Sequence, residues 1–436
     1  MFPIDKNTLA HVMDELNIAE VTAATIRQIG ALAGKLEKEA GEKIIHLEIG
    51  NPGLKAEEFG VEAEIEALRS GVANQYPDIA GIPILKENAA RFIKAFLNVD
   101  IKTEGIIPTV GSMQGSFTLM LLLKQRIPGK DTILELYPGF PAHRHQAKVL
   151  GLNLEGFDIY HYRGKKLEAK LEEYFKTGRV TAMLYSSPNN PAWTNMTDEE
   201  LEIIGRLATK YDVIVIEDLA YMGMDFRNDF SHPYQPPFIS TVAKYTDNYI
   251  LQLSASKIFS YAGQRIAVVC MSDKVFERKY EFLDKFYDMP RFGDAYIYGV
   301  LYCASSGTTH SSQYALARMM GKAADGELDF VGHCREYGRR AAIMKRLLAD
   351  NGFELVYQLD GENKIADGFF MTARYGDMTS GELQKELLRY GVSSISLPST
   401  GSEQNGVRIT ISMVSDDESF DLLDKRLKKF NEDHPL

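Results

Sequence analysis

The chain reads as an α/β protein: a large part built on a mostly parallel sheet flanked by helices, joined to a smaller α+β part. Three observations predict this. Strand-like and helix-like segments alternate from residue 44 to about residue 320. Several apolar runs in that stretch stop abruptly at residues able to do chemistry. After about residue 330 the texture changes to one long helix followed by short strands and helices. Such alternation implies parallel strands joined by right-handed crossovers. A chain of 436 residues can bury a large core, and two domains, or a large lobe and a small one, are expected.

In chain order, Ile18, Val21, Ile26, Ile29, Leu32, Ala33 and Leu36 recur at helical spacing and predict an amphipathic helix over 18–40. Within it, Gly30-Ala31-Leu32-Ala33-Gly34-Lys35 is one residue short of a phosphate loop and reads as helix packing. Ile44-Ile45-His46-Leu47-Glu48-Ile49 and Asp131-Thr132-Ile133-Leu134-Glu135-Leu136 predict strands, as do the apolar runs at 180–185, 213–216 and 249–253. Thr197, with Glu200 three positions on, forms a capping box that opens a helix through Leu207. Cys334 to Asn351 predicts a long helix. The segments at 368–372, 383–390, 407–412 and 420–430 supply the short elements that follow it.

Composition narrows the function classes. A net charge of −11, with no basic cluster to offset it, argues against a nucleic-acid partner. No apolar run approaches the roughly 20 residues that span a bilayer, so no membrane partner is expected. Met1-Phe2-Pro3-Ile4-Asp5-Lys6 lacks the basic-then-apolar order of a signal peptide. Cys270, Cys303 and Cys334 are scattered without Cys-x-x-Cys spacing, which fits a reducing, cytoplasmic setting. His143-Arg144-His145 and His161 have no carboxylate or cysteine company in the sequence, and no metal site is expected. Neither a nucleophile elbow nor a dinucleotide fingerprint occurs.

The strand ends carry the chemistry. Ser186-Ser187-Pro188-Asn189-Asn190-Pro191 follows one apolar run, Glu217-Asp218-Leu219-Ala220-Tyr221 the next, and Ser254-Ala255-Ser256-Lys257 the third, with Arg265 beyond it. In open α/β sheets ligands bind past the carboxyl ends of parallel strands, so Asn190, Asp218, Tyr221 and Lys257 are expected to converge. A lysine at the mouth of a buried strand, beside hydroxyls and near a cation, suits a carbonyl-binding amine. Gly111-Ser112-Met113 precedes a helix, whose first backbone N–H groups bind anions. Arg408 alternates with apolar neighbours in a strand, and a guanidinium there needs an anionic partner.

The series Asn-Pro, Asp-x-x-Tyr, Ser-x-Ser-Lys and downstream Arg resembles the class I/II pyridoxal-phosphate-dependent aminotransferases of fold type I, the aspartate-aminotransferase-like group. The similarity runs from about Ile26 to Leu427 and takes in Gln75-Tyr76-Pro77-Asp78-Ile79-Ala80-Gly81-Ile82-Pro83, Thr109-Val110-Gly111-Ser112-Met113-Gln114 and Gly406-Val407-Arg408-Ile409-Thr410-Ile411. It implies a large cofactor-binding domain over 46–330. The arm and helix of 1–45 and the C-terminal 331–436 would together form the small domain, with the site in the cleft between lobes.

Residue by residue, the resemblance implies that Lys257 holds pyridoxal 5′-phosphate as a Schiff base and moves the substrate's α-proton. Asp218 would face the ring nitrogen, Tyr221 and Asn190 the ring oxygen, and Phe140 would stack on the ring. Gly111, Ser112, Met113, Ser254, Ser256 and Arg265 would cradle the phosphate. Tyr76 would reach the partner's phosphate across a homodimer, and Thr308 and Thr309 lie where relatives send another hydroxyl. Arg408, with Gly50 and Asn190, would bind the substrate carboxylate. The partners implied are an amino acid and a 2-oxo acid, glutamate and 2-oxoglutarate being the class expectation for one half. A lyase or decarboxylase using the same Lys and Asp is the alternative reading, and a binding or regulatory protein a third.

The chain departs from the family pattern in places. Asn190-Pro191-Ala192-Trp193 stands for Asn-Pro-Thr-Gly, Ile266-Ala267 follows Arg265, and Gly50-Asn51-Pro52-Gly53-Leu54 stands for Gly-x-Pro-Asp-Phe. Trp193, the only tryptophan, is expected to narrow the site. Arg291 is the one candidate for a second, side-chain-reading cation.

Overall fold

The computed structural model describes residues 2–436. Its centre is a seven-stranded sheet. After a two-residue strand β1 (Ile45–His46), these strands are β2 (Ile106–Thr109), β3 (Thr132–Tyr137), β4 (Asn153–Asp158), β5 (Val180–Ser186), β6 (Ile214–Asp218), β7 (Tyr249–Ser254) and β8 (Ala267–Met271). Their order across the sheet is β2-β8-β7-β6-β5-β3-β4. Every pairing is parallel except those of β8, which runs against both neighbours.

The inner strands are mostly apolar because helices cover both faces. Period-two alternation then splits each strand between two cores. Leu134, Met183, Val215, Leu251 and Val268 face one cluster, while Ile133, Ala182, Ile214, Ile250 and Val269 face the other. The helix Asp198–Tyr211 begins as the sequence predicts: Thr197 accepts from the Glu200 N–H and Glu200 reaches back to the Thr197 N–H. The N-terminal helix is shorter than its pattern, spanning Ile26–Ala40. A second capping box, Thr25 with Gln28, starts it, and Val21–Ala23 forms a separate 3₁₀ turn that keeps Val21 buried.

The expected strand at 44–49 does not join the large sheet. Its Ile45–His46 portion pairs in parallel with Val392–Ser393. The helices Lys6–Glu15 and Ile26–Ala40 share a core with Leu388 and Ile395, so both chain ends build one unit. That unit also holds the long helix Phe330–Asp350 and an antiparallel sheet of Ile395–Ser396, Val407–Thr410, Phe370–Tyr375 and Phe353–Leu355. Arg408 lies mid-sheet, opposite Thr372 on one side and Ile395 on the other.

Candidate active site

Strand register brings the reactive segments to one edge. Ser186 is level with Asp218, and Asp218 with Gln252; Thr109, Ala267 and Ser254 form a row beside them. The residues that leave these strand ends are therefore neighbours: 187–190 after β5, 219–221 after β6, 255–257 after β7, Gly111 after β2, and Arg265 just before β8.

Lys257 lies in the short helix Ala255–Ile258, which Ser254 caps by accepting from the Ser256 N–H at 3.2 Å. Its Nζ donates to the Gly50 carbonyl and sits 5.2 Å from the centre of the Phe369 ring. Burial first, then the charges of Arg408 and Arg265, pull the ammonium down to about 7. A neutral, nucleophilic amine is thereby present at physiological pH, the state a carbonyl-binding lysine needs.

Arg408 is buried, with its guanidinium 4.9 Å over the Phe370 ring. It donates to the Glu48 carbonyl and, at 3.4 Å, to Asn190 Oδ1, while its Nε has no partner. Burial lowers it to about 10, against the pull of Tyr221 and Glu48. Among the described residues no carboxylate lies within ion-pair reach of it, so the cation waits for an anion from outside the chain. Asn190 is free to join it because Asn189 builds the turn: Asn189 Oδ1 accepts from the Ala192 N–H and its Nδ2 donates to the Pro138 carbonyl, both at 2.9 Å.

Asp218 ends β6, with its Oδ1 accepting from the Ala220 N–H at 3.0 Å. Burial pushes its carboxyl upward, opposed by the charge of His143 and by that N–H. Tyr221 stands edge-on to Trp193 and Phe370, ring centres 5.5 and 5.3 Å away, and burial keeps its phenol protonated. Phe140 is half-buried and meets His143 edge-on at 5.6 Å.

A second anion site lies at the start of the helix Gly111–Arg126. Gly111 has φ +68°, and a Cβ there would stand 2.5 Å from Arg265 Nη2, so the guanidinium packs directly on the Gly111 backbone. Ser112 and Met113 follow it in the first turn, and Ser256 lies half-buried beside Lys257. A helix N-terminus with an exposed arginine against it favours a phosphate or carboxylate. The set thus offers an amine lowered to about 7, one acid, and two cationic places lacking counter-ions. A ligand with an aldehyde, a basic ring atom and an anionic arm, followed by a carboxylate substrate, fits these residues.

Other expectations fare differently. Tyr76 projects from the surface, 91% exposed. The Thr308 hydroxyl is engaged by the Pro108 carbonyl at 3.0 Å, and Thr309 precedes the helix His310–Ala324. Trp193 does not project into an open cleft: its ring is fully buried, and a Cβ on Gly368 would run into it. Arg291 is tied at 2.7 Å to each Asp294 carboxylate oxygen and at 3.1 Å to Glu277, so it is no free receptor for a side-chain carboxylate. His143 does have carboxylate company, with Nδ1 2.7 Å from Glu135 Oε1. Sequence reading missed Glu48, Phe369, Phe370 and the Glu135–His143 pair. An acid in a strand-like run, at 48 or 135, is the only signal that was available.

Comparisons with known proteins give the family and the fold. The family described as aminotransferase class I and II matches residues 42–425. An aspartate aminotransferase of Thermotoga maritima is 28% identical over 260 residues, 59% of this chain and 66%, about two thirds, of that protein. A probable aspartate aminotransferase of Methanocaldococcus jannaschii is 24% identical over 365 residues, 83% of this chain and 86% of the relative. The solved structure of Thermus thermophilus aspartate aminotransferase with maleate superposes with a TM-score of 0.75, covering 95% of this chain and 98% of that one at 19% identity. At that identity the superposition speaks to the fold alone. No helix among the described residues is long and apolar enough to cross a membrane.

Proposed function

We propose, because the chain belongs to the class I and II aminotransferases and is a pyridoxal-phosphate-dependent aminotransferase, that Lys257 is the residue through which it moves an amino group between an amino acid and a 2-oxo acid. The observation that carries the assignment is the half-buried Lys257 just past the end of β7, its Nζ on the Gly50 carbonyl with no carboxylate partner, lowered to about 7 by burial and by the charges of Arg408 and Arg265.

Bound pyridoxal 5′-phosphate supplies an aldehyde that takes up amines and a ring that accepts the electron pair left by a departing α-proton. Lys257 holds that aldehyde in the resting protein. Released from it, the free Nζ would take up and give back the proton at the substrate's α-carbon, a positioned acid–base step worth on the order of 10²–10⁴ in rate. Asp218 keeps a proton on the ring nitrogen, a charge-assisted bond worth about 1.5–3 kcal/mol. Tyr221 and Asn190 would donate to the ring oxygen, and Phe140 would pack on the ring. Gly111, Ser112, Met113, Ser254, Ser256 and Arg265 hold the phosphate. Arg408 grips the substrate carboxylate bidentately, with Asn190 fixing its far side and Gly50 closing the backbone beside it.

The proposal extends to a homodimer, supported by Tyr76, whose exposed phenol would serve the partner's phosphate. It extends also to the division at 46–330, supported by the chain ends sharing one core, and to a cytoplasmic setting, supported by three unpaired cysteines. Purified protein supplied with the cofactor should show a visible absorbance band and transfer amino groups from one or more members of an amino-acid panel to 2-oxo acids. Both should vanish in Lys257→Ala. Release of ammonia or pyruvate in place of transfer would count for a lyase instead.

A further inference from the structure

We propose that Asp360 is a positioning residue for substrate binding: it pins the hairpin that leads into Phe370 onto the large unit, and so holds the ring on which Arg408 lies. This deepens the proposed function and rests on the reading of Arg408 as the receptor for the substrate carboxylate.

Asp360 lies in a small hairpin of the C-terminal segment, in which Leu359–Asp360 pairs with Asn363–Lys364. Its carboxylate is buried, yet the partners it meets belong to the large unit. Oδ1 accepts from Arg163 Nη1 at 3.1 Å and from the Asn195 N–H at 3.0 Å, and Oδ2 accepts from Arg227 Nη2 at 2.6 Å. Arg227 Nη1 also donates to the Lys364 carbonyl at 3.0 Å. Each arginine has a second acid of its own: Arg163 meets Glu200 at 2.6 and 2.9 Å, and Arg227 Nε meets Asp225 at 2.8 Å. The large unit therefore balances these charges without Asp360, whose contribution is the tie to the hairpin.

That tie reaches the site along short stretches of chain. Asn195 is two residues past Trp193, and the hairpin runs on through 365–369 to Phe370, the first residue of the strand Phe370–Tyr375. Trp193 stands edge-on to Tyr221 and Phe370, ring centres 5.5 and 6.2 Å away, and leaves no room for a Cβ on Gly368. Its indole N–H has no partner, so packing alone orients the ring. Apolar packing is non-directional, whereas charge-assisted bonds from two guanidiniums fix a register. Phe370 in turn carries the Arg408 guanidinium 4.9 Å above its ring. Upstream, Tyr357 Oη stays anchored on Asp158 at 2.6 Å, so loss of the Asp360 charge frees the span between Tyr357 and Phe370.

The test is steady-state kinetics of Asp360→Asn in the loaded enzyme, read together with the fluorescence of Trp193, the only tryptophan. The variant should raise KM for amino acids about tenfold, with kcat changed less than about threefold. Trp193 emission should shift to the red and become open to acrylamide quenching. Arg227→Gln, at the partly exposed end of the tie, should move KM and emission the same way by less. Added to Asp360→Asn it should change neither further, because both variants cut one connection. Should Asp360→Asn fail to fold, Arg227→Gln carries the test by itself. An unchanged KM, an unchanged Trp193 emission or additive effects in the double variant would overturn the proposal; a lower unfolding midpoint with KM and emission intact would show a merely structural role. Failure of the underlying reading would look different: Arg408→Lys would leave KM intact while Asp360→Asn still moved the emission.

Discussion

Arg408 keeps its charge at neutral pH although burial lowers it to about 10, whereas burial and the charges of Arg408 and Arg265 bring Lys257 down to about 7, where it gives up its charge in part. A buried guanidinium with an idle Nε is costly unless an anion arrives, which is why substrate binding is the expected remedy. Arg408→Lys keeps the charge and loses the planar fork, so KM for amino acids should rise by about 1.5–3 kcal/mol, on the order of 10- to 100-fold, with kcat less affected. Initial-rate measurements over substrate concentration check this. In the cofactor-free protein, acylation of Lys257 should rise with pH around a midpoint near 7, far below that of an ordinary lysine. The sign for stability follows: between about 7 and 10.5 the unfolded lysine binds a proton that the folded one has given up. The stability of the cofactor-free protein therefore rises with pH across that window, and Lys257→Met should flatten the slope in denaturant titrations.

At the scale of elements, the local signals were legible and the long-range ones were not. Asn190, Asp218 and Lys257 each leave a strand within a few residues of its last apolar position, so a register of parallel strands was enough to bring them together. Thr197 with Glu200 announced its helix by local spacing alone. The apolar run at 44–49 does not state its partner, and its pairing with Val392–Ser393 is a contact across most of the chain. Glu48 was silent for the same reason, since Arg408, which donates to its backbone carbonyl, lies far off in sequence. Trp193 shows what a departure from the family pattern does physically. It adopts φ +64°, a left-handed conformation costing a non-glycine residue roughly 1–2 kcal/mol, and burial of its ring on Gly368 offsets that cost. Gly368→Ala should destabilise by about 1–3 kcal/mol through overpacking, and Trp193→Phe in that background should recover part of the loss, read as midpoints of chemical unfolding.

For the whole molecule, the two arginine sites lie on different units: Arg265 beside the large sheet, Arg408 in the sheet built with the C-terminal segment. Lys257 feels both charges, so the amine stands where the two units meet. Tyr76 belongs to a third surface, and if it serves a neighbouring subunit, Tyr76→Phe should weaken cofactor retention about tenfold without changing substrate KM. Equilibrium dialysis of the cofactor alongside light scattering reads both the loss and the dimer. The central claim is that one amine tethers the cofactor. Its most direct test is borohydride reduction of the loaded protein followed by peptide mass mapping. A single phosphopyridoxyl label on Lys257 is the predicted result; a label on another lysine, or active protein carrying no label at Lys257, would contradict it.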